Sequence, residues 1–241
     1  MKLYSPQHNA IDARVRVVAR VLAKYELVQA WGHCSQRIDE NKFLVCAPKA
    51  MGLIEKFEPG TIVNIHDPLP EGVLGEVRIH QQIYKKRPEV GGVCRIMPPY
   101  ITALSTLGRV PKPIYGVGAF NANCKFWDDP RLLRDDSLAE QLAETMGKSP
   151  SLVMRGNGAV TVGGTIEMAA CFAWSLENSA KINLLAQQYE TSESKIRYYD
   201  DNEIKLRQVS SGNVFERLWE NLAKSDPEFV PEFDLGNHFW G

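Results

Sequence analysis

No apolar run in the chain approaches the roughly 18 residues that a membrane-spanning helix needs, so a membrane is not expected as a partner. The opening stretch MKLYSPQHNA lacks the apolar centre of a secretory signal, and the expected compartment is the cytoplasm. A surplus of charge is missing as well. Lys and Arg number 28 and Asp and Glu 29, a formal net charge of −1. That balance excludes a strong overall attraction to nucleic acid or anionic lipid. Cysteines are few: Cys34, Cys46, Cys94, Cys124 and Cys171 are odd in number and in no paired spacing, which argues for reduced thiols. Cys46, Cys94 and Cys171 lie in apolar stretches and are expected in the core.

Familiar catalytic signatures are absent too. There is no P-loop, no G-x-G-x-x-G and no G-x-S-x-G elbow. The five histidines, His8, His33, His66, His80 and His238, form no H-x-H or H-x-x-x-H pair. No internal repeat, linker or low-complexity segment interrupts the chain.

What is present is an ordinary globular balance, 44% hydrophobic and 24% charged residues over 241 positions. Ile11, Val15, Val18 and Leu22 recur at helical spacing and predict a helix over 10–29. AWGHCSQRIDENKFLVCAP predicts a hairpin turning at 39–41, and GTIVNIHD a further strand. Residues 76–87 predict a helix with Ile79, Ile83 and Tyr84 inward, ended by Pro88. VGGVCRIMPPY reads as a strand stopped by two prolines, 101–108 as a helix, and KPIYGVGAF as another strand. Ser137 and Glu140 suit a capping box for a helix closed by Gly147. SLVMRGNGAVTVGG predicts two strands kinked at Gly156-Asn157-Gly158; Thr165 then caps a helix over 166–190, helped by a Glu177/Lys181 pair. The elements mix without a βαβ rhythm, which predicts one mixed α/β or α+β domain. We divide the chain into a body over 1–200 and a tail over 201–241. The tail carries Phe215, Trp219, Phe229, Phe233, Phe239 and Trp240 and is expected to dock on the body or on a neighbouring subunit.

Glu76 and His80 stand four apart, a spacing that suits a proton-transfer pair or two ligands, or merely a helix-start carboxylate and a half-buried ring. Taken in order, four stretches resemble the class II aldolase/adducin family. They are WGHCSQRI, FLVCAPKAMG, GEVRIHQQIYKKRPEVGGVCRIM and LVMRGNGAVTVGGTIEMA, spanning about 10–190. The G-H-x-S-x-R form of the first leans toward the hydroxy-aromatic-acid decarboxylases of that family rather than its sugar-phosphate aldolases. The resemblance implies a single-domain α/β/α sandwich with a largely antiparallel central sheet. It also implies a homotetramer with sites between subunits, a divalent metal on three histidines, and a carboxylate acid/base that works on an enolate.

At the positions where the resemblance implies histidine ligands, this chain has Arg95, Met97 and Asn157, and none of the three suits a zinc or manganese site. No metal and no other cofactor is therefore expected. Glu76 stands at the acid/base position. Arg95, with Asn157, can supply positive potential where a metal would, or Arg95 can simply pair with Glu76. Lys49, together with His33 and Ser35, stands where relatives bind the substrate's anionic group and could hold a carboxylate. Met97, at one of the changed positions, and Arg155, two residues before another, are candidates to line the substrate site, and Tyr100 and Tyr115 could donate phenolic hydrogen bonds or pack in the core. The expected activity is a metal-independent carbon–carbon lyase for a small carboxylated aromatic or keto-acid substrate, by decarboxylation, retro-aldol cleavage or a related tautomerisation or cyclisation. The competing expectation is a non-catalytic binding or assembly protein on the adducin-type fold.

Overall fold

Alternation of short strands and amphipathic helices builds one seven-stranded sheet clothed by helices. The computed structural model describes residues 6–209 and 211–231. In chain order the elements are α1 (Pro6–Lys24), β1 (His33–Arg37), β2 (Lys42–Val45), β3 (Thr61–Asn64), α2 (Arg78–Lys86), β4 (Gly92–Ile96), α3 (Pro99–Thr106), β5 (Lys125–Trp127), α4 (Asp136–Met146), β6 (Ser151–Met154), β7 (Ala159–Gly163), α5 (Ile166–Gln187), α6 (Asp201–Arg207) and α7 (Val214–Ala223). The strand order is β3-β2-β1-β4-β7-β6-β5. Only β5–β6 is parallel, so the sheet is mixed and mostly antiparallel.

Side-chain alternation along β1 and β4 assigns the two faces. Cys34 and Cys94 are register partners and point to the side of α1, where the Cys34 thiol meets the Val15 carbonyl. A Cβ on Gly92, two residues before Cys94, would lie 2.3 Å from the Ile166 Cα, so α5 starts against that same face. His33 and Arg95, also partners, point to the opposite face, toward α2. Helix α5 is buried along most of its length and begins as expected, with Thr165 Oγ1 accepting from Met168 N. All five cysteines are free and buried.

Several elements differ from expectation. Residues 112–120 do not form a strand. Pro111 and Pro113 remove ladder donors, and the chain curls into a 3-10 turn over Gly116–Asn121, with β5 lying beyond it. Asp135, not Ser137, caps α4, accepting from Leu138 N. The Glu177 carboxylate turns away from a helix-surface pair and accepts from Tyr100 N and Ile101 N at 2.8 Å each, capping α3. Burial raises its pKa against those two donors. The tail supplies helices α6 and α7, and α7 inserts Phe215 and Trp219 into the core, with Phe215 edge-on to Phe120 and Phe172. Phe233, Phe239 and Trp240 lie outside the described residues. Among the described residues no helix is long and apolar enough to cross a membrane.

Candidate active site

Three alternate residues of β1, His33, Ser35 and Arg37, share the face toward α2. They rise about 6.8 Å per pair, close to the roughly 6 Å between helix positions i and i+4. The strand therefore matches α2 position for position. His33 Nδ1 lies 2.7 Å from His80 Nε2, and Ser35 Oγ lies 2.6 Å from His80 Nδ1 and 3.0 Å from the Tyr84 hydroxyl. Arg37 closes the ladder, donating to the carbonyls of Tyr84, Arg87 and Val90 and lying over the Tyr84 ring.

Arg95 lies beside this ladder. It is the largest side chain among the fully enclosed ones and is 2% exposed. Glu76 reaches it from a 3-10 turn (Gly75–Val77) that leads into α2, with Oε2 3.3 Å from Arg95 Nη2. Asn157 comes from the β6–β7 turn, and its Oδ1 accepts from Arg95 Nη2 at 2.6 Å. That turn is tight because both flanking glycines adopt positive φ, 63° at Gly156 and 72° at Gly158. A Cβ on Gly158 would sit 2.0 Å from the Ile96 carbonyl oxygen, so the turn is pressed onto the end of β4. One guanidinium nitrogen thus serves both Glu76 and Asn157. Arg95 Nε and Nη1, Asn157 Nδ2 and His33 Nε2 are buried without a partner among the described residues.

Buried polar atoms without partners are costly, and native structures rarely leave several in one place. Here Arg95, Asn157 and His33 each leave at least one so among the described residues. Burial lowers the Arg95 pKa, and the Glu76 carboxylate acts the other way. Burial pushes His33 well below its ordinary value, with His80 and Arg95 adding repulsion, and brings His80 down to about 3. Both imidazoles are therefore neutral near pH 7, and Arg95 is the buried cation of the group. What such a cluster can do is stabilise an anionic oxygen beside a carboxylate, Glu76, whose side chain is 16% exposed.

The donor set does not fit a divalent ion of the kind the resemblance implies. Guanidinium offers no lone pair, and the Asn157 carbonyl oxygen is already spent on it. Among the described residues no group of three His, Cys, Asp or Glu is arranged around a common point.

Of the other residues singled out from sequence, Met97 is half-buried where β4 ends, close to Gly158. Ser35 belongs to the interior ladder, not to a carboxylate cradle, because both its neighbours, His80 and Tyr84, are buried polar groups that need it. Lys49 is exposed, and its ammonium is matched by Glu58 at 3.1 Å instead of facing the cluster. Arg155 turns out to Asp128; the left-handed Gly156 between it and Asn157 breaks the alternation that would otherwise put the two on one face. Tyr100 is half-buried under the Lys181 ammonium, and the Tyr115 hydroxyl donates to the Ser175 carbonyl, its pKa raised by burial to about 12. Both are packing residues of α3 and α5. Glu76 and His80 do not pair: the first faces Arg95 and the second His33. Sequence reasoning set His80 beside Glu76 and Tyr84 in the core, and missed that both bond to β1. The matched two-residue and four-residue spacings are the signal that finds them.

Residues 13–184 match the family model described as "Class II Aldolase and Adducin N-terminal domain". A 3,4-dihydroxyphthalate decarboxylase of Arthrobacter keyseri is 29% identical over 199 residues, 73% of this chain and 79% of that one. Decarboxylase tropJ of Talaromyces stipitatus is 27% identical over 234 residues, covering 83% and 88%. Among solved structures, an aldolase II superfamily protein from Pseudomonas syringae superposes with a TM-score of 0.76 at 21% identity, covering 92% and 93%. With the match running from α1 through most of α5, the chain belongs to the class II aldolase and adducin N-terminal domain family.

Proposed function

We propose that this protein is a carbon–carbon lyase, a decarboxylase of small hydroxylated aromatic or keto acids, in which Arg95 takes the electrostatic part of a divalent ion. One observation carries the reading: a guanidinium 2% exposed, held on one side by Glu76 and Asn157, with Nε and Nη1 unpartnered among the described residues. A cation that only braced the fold would have its donors filled. The decarboxylases among the relatives, one of them named for a dihydroxylated aromatic diacid, support the same class.

In this reading the bond from carbon to the departing carboxylate breaks heterolytically. Carbon dioxide leaves, and the bonding pair moves through the conjugated system onto an oxygen. That oxyanion meets the free Arg95 donors and Asn157 Nδ2. A unit charge about 4 Å away contributes roughly 4 kcal/mol at an effective dielectric near 20, enough to change a rate a thousandfold. Glu76, protonated from solvent, delivers a proton to the carbon: in a keto acid after carbon dioxide has left, converting the enolate to neutral product, and in a hydroxylated aromatic acid beforehand, at the ring carbon that bears the carboxylate, because only then can the bonding pair enter the ring. Assembly into a tetramer belongs to the same proposal, and the exposed Trp31, Leu53 and Phe57 suit subunit contacts.

The test is release of carbon dioxide from a panel of hydroxybenzoates and keto acids after exhaustive chelation. Turnover is expected to survive chelation, and Arg95→Met to lower kcat by about 100- to 1000-fold. Glu76→Gln is expected to cost a similar or larger factor. A stoichiometric, tightly held metal ion, or full activity in Arg95→Met, overturns the reading.

A further inference from the structure

Proton transfer by Glu76 and charge stabilisation by Arg95 leave one buried arrangement unused. His33, His80, Ser35 and Tyr84 form a single hydrogen-bonded file, all of it enclosed. One end of the file is closed. The Tyr84 hydroxyl lies 3.0 Å from the Ser35 carbonyl oxygen, which can only accept. The other end, His33 Nε2, is buried and has no partner among the described residues. His33 is the register partner of Arg95, so this open nitrogen belongs to the same face as the unpartnered guanidinium donors.

The closed end sets the direction of every proton behind it. Tyr84 has one hydroxyl proton, and the carbonyl takes it. The Ser35 proton then goes to the Tyr84 oxygen. Ser35 Oγ is left to accept from His80 Nδ1–H, and His80 Nε2 to accept from His33 Nδ1–H. Each ring is neutral and carries one proton, so His33 Nε2 ends as a bare lone pair. The reverse order sends the Tyr84 proton to Ser35 Oγ, which gives up the bond to the Ser35 carbonyl and leaves His33 Nε2 as one more buried donor near the Arg95 cation.

From this we infer that His33 Nε2 is an acceptor for a hydroxyl group on the ligand, beside the anion-binding donors of Arg95, with His80, Ser35 and Tyr84 as positioning residues that hold its tautomer. The site thus selects acids carrying a hydroxyl near the anionic group over acids lacking one. A carboxylate cannot be held by this nitrogen, because two lone pairs would face each other. The inference rests on the lyase reading only for the general class of ligand.

Its test needs no turnover. Nitrogen-15 NMR of the His33 ring in the free protein is expected to show the proton on Nδ1. Equilibrium binding of 2-hydroxybenzoate and of benzoate is expected to favour the first by about tenfold, the worth of one hydrogen bond to a neutral acceptor. Tyr84→Phe removes the closed end, and Ser35→Ala cuts the file one link nearer. Each is expected to shift His33 toward the Nε2–H form and to erase the preference for the hydroxylated acid while benzoate binding holds. A wild-type His33 protonated at Nε2, or an affinity for 2-hydroxybenzoate no greater than for benzoate, overturns the inference. Failure of the lyase reading would show as absent carbon dioxide release and leave these readouts intact.

Discussion

Two sets of buried arginines in this protein have opposite accounts. On α1, Arg16 and Arg20 face Asp226 and Glu228 from the segment after α7, and every guanidinium nitrogen has an acceptor. Arg16 binds Glu228 through Nε and Nη2, and Asp12 and the Glu58 carbonyl through Nη1. Arg20 binds Asp226 and Glu228, with Nη1 on the Ile54 carbonyl. Arg95 is buried at least as deeply, yet two of its three nitrogens have nothing to bind among the described residues. The first set fastens chain segments more than 200 residues apart in sequence. The second, in the function proposed above, holds a cation ready for a ligand. Burial alone does not distinguish a structural charge from a functional one; the unmet donors do.

The largest effect that tests this contrast is on stability. Arg16→Met leaves the buried Asp12 carboxylate with the Gly60 amide and no cation and takes one of two arginines from Glu228, and is expected to cost about 3–5 kcal/mol of unfolding free energy. Urea denaturation measures it, and activity per folded molecule should not change. A smaller and pH-dependent effect separates the two regions next. The pKa of His80 falls from 6.5 in the unfolded chain to about 3, and that of His33 falls too, so the unfolded state takes up protons first. Stability is then full above pH 6.5 and declines as pH drops toward 3. Glu228 opens a second decline only below about 4.5, where burial is outweighed by its bonds to Arg16 and Arg20. Denaturation midpoints that stay flat between pH 6.5 and 5 would refute neutral buried imidazoles. The smallest effect is the stability of Arg95→Met, expected within about 1 kcal/mol of the parent, or above it, because an incompletely matched buried charge is removed. A loss as large as that of Arg16→Met would make Arg95 a structural cation after all.

Much of the frame was legible because period and capping are local. Thr165 marks the start of α5, and Gly156 and Gly158 mark a kink, from side-chain and backbone chemistry within a few residues. Juxtaposition of Glu76, Arg95 and Asn157 was legible only through the resemblance, since no local rule joins positions 80 residues apart. Ser137 was read as the cap that Asp135 in fact supplies, because both residue types suit an N-cap and only the entry angle of the chain decides. Glu177 was read as a surface partner of Lys181 because spacing along one helix says nothing about a neighbouring helix whose first amides need an acceptor. Lys49 looked available because its partner, Glu58, lies across a turn that sequence spacing does not suggest.

The glycine-flanked turn at 156–158 also bears on how such a site changes its chemistry. Because Gly158 rests on the Ile96 carbonyl, the height of position 157 above β4 is set by main-chain contact and not by the side chain it carries. The turn behaves as a socket: an imidazole or an amide can be fitted there, and the opposing strand residue exchanged to match, with no rebuilding of the sheet. Filling the Gly158 hollow with even a methyl group would lift the socket and part Asn157 from Arg95, whichever residues had been fitted.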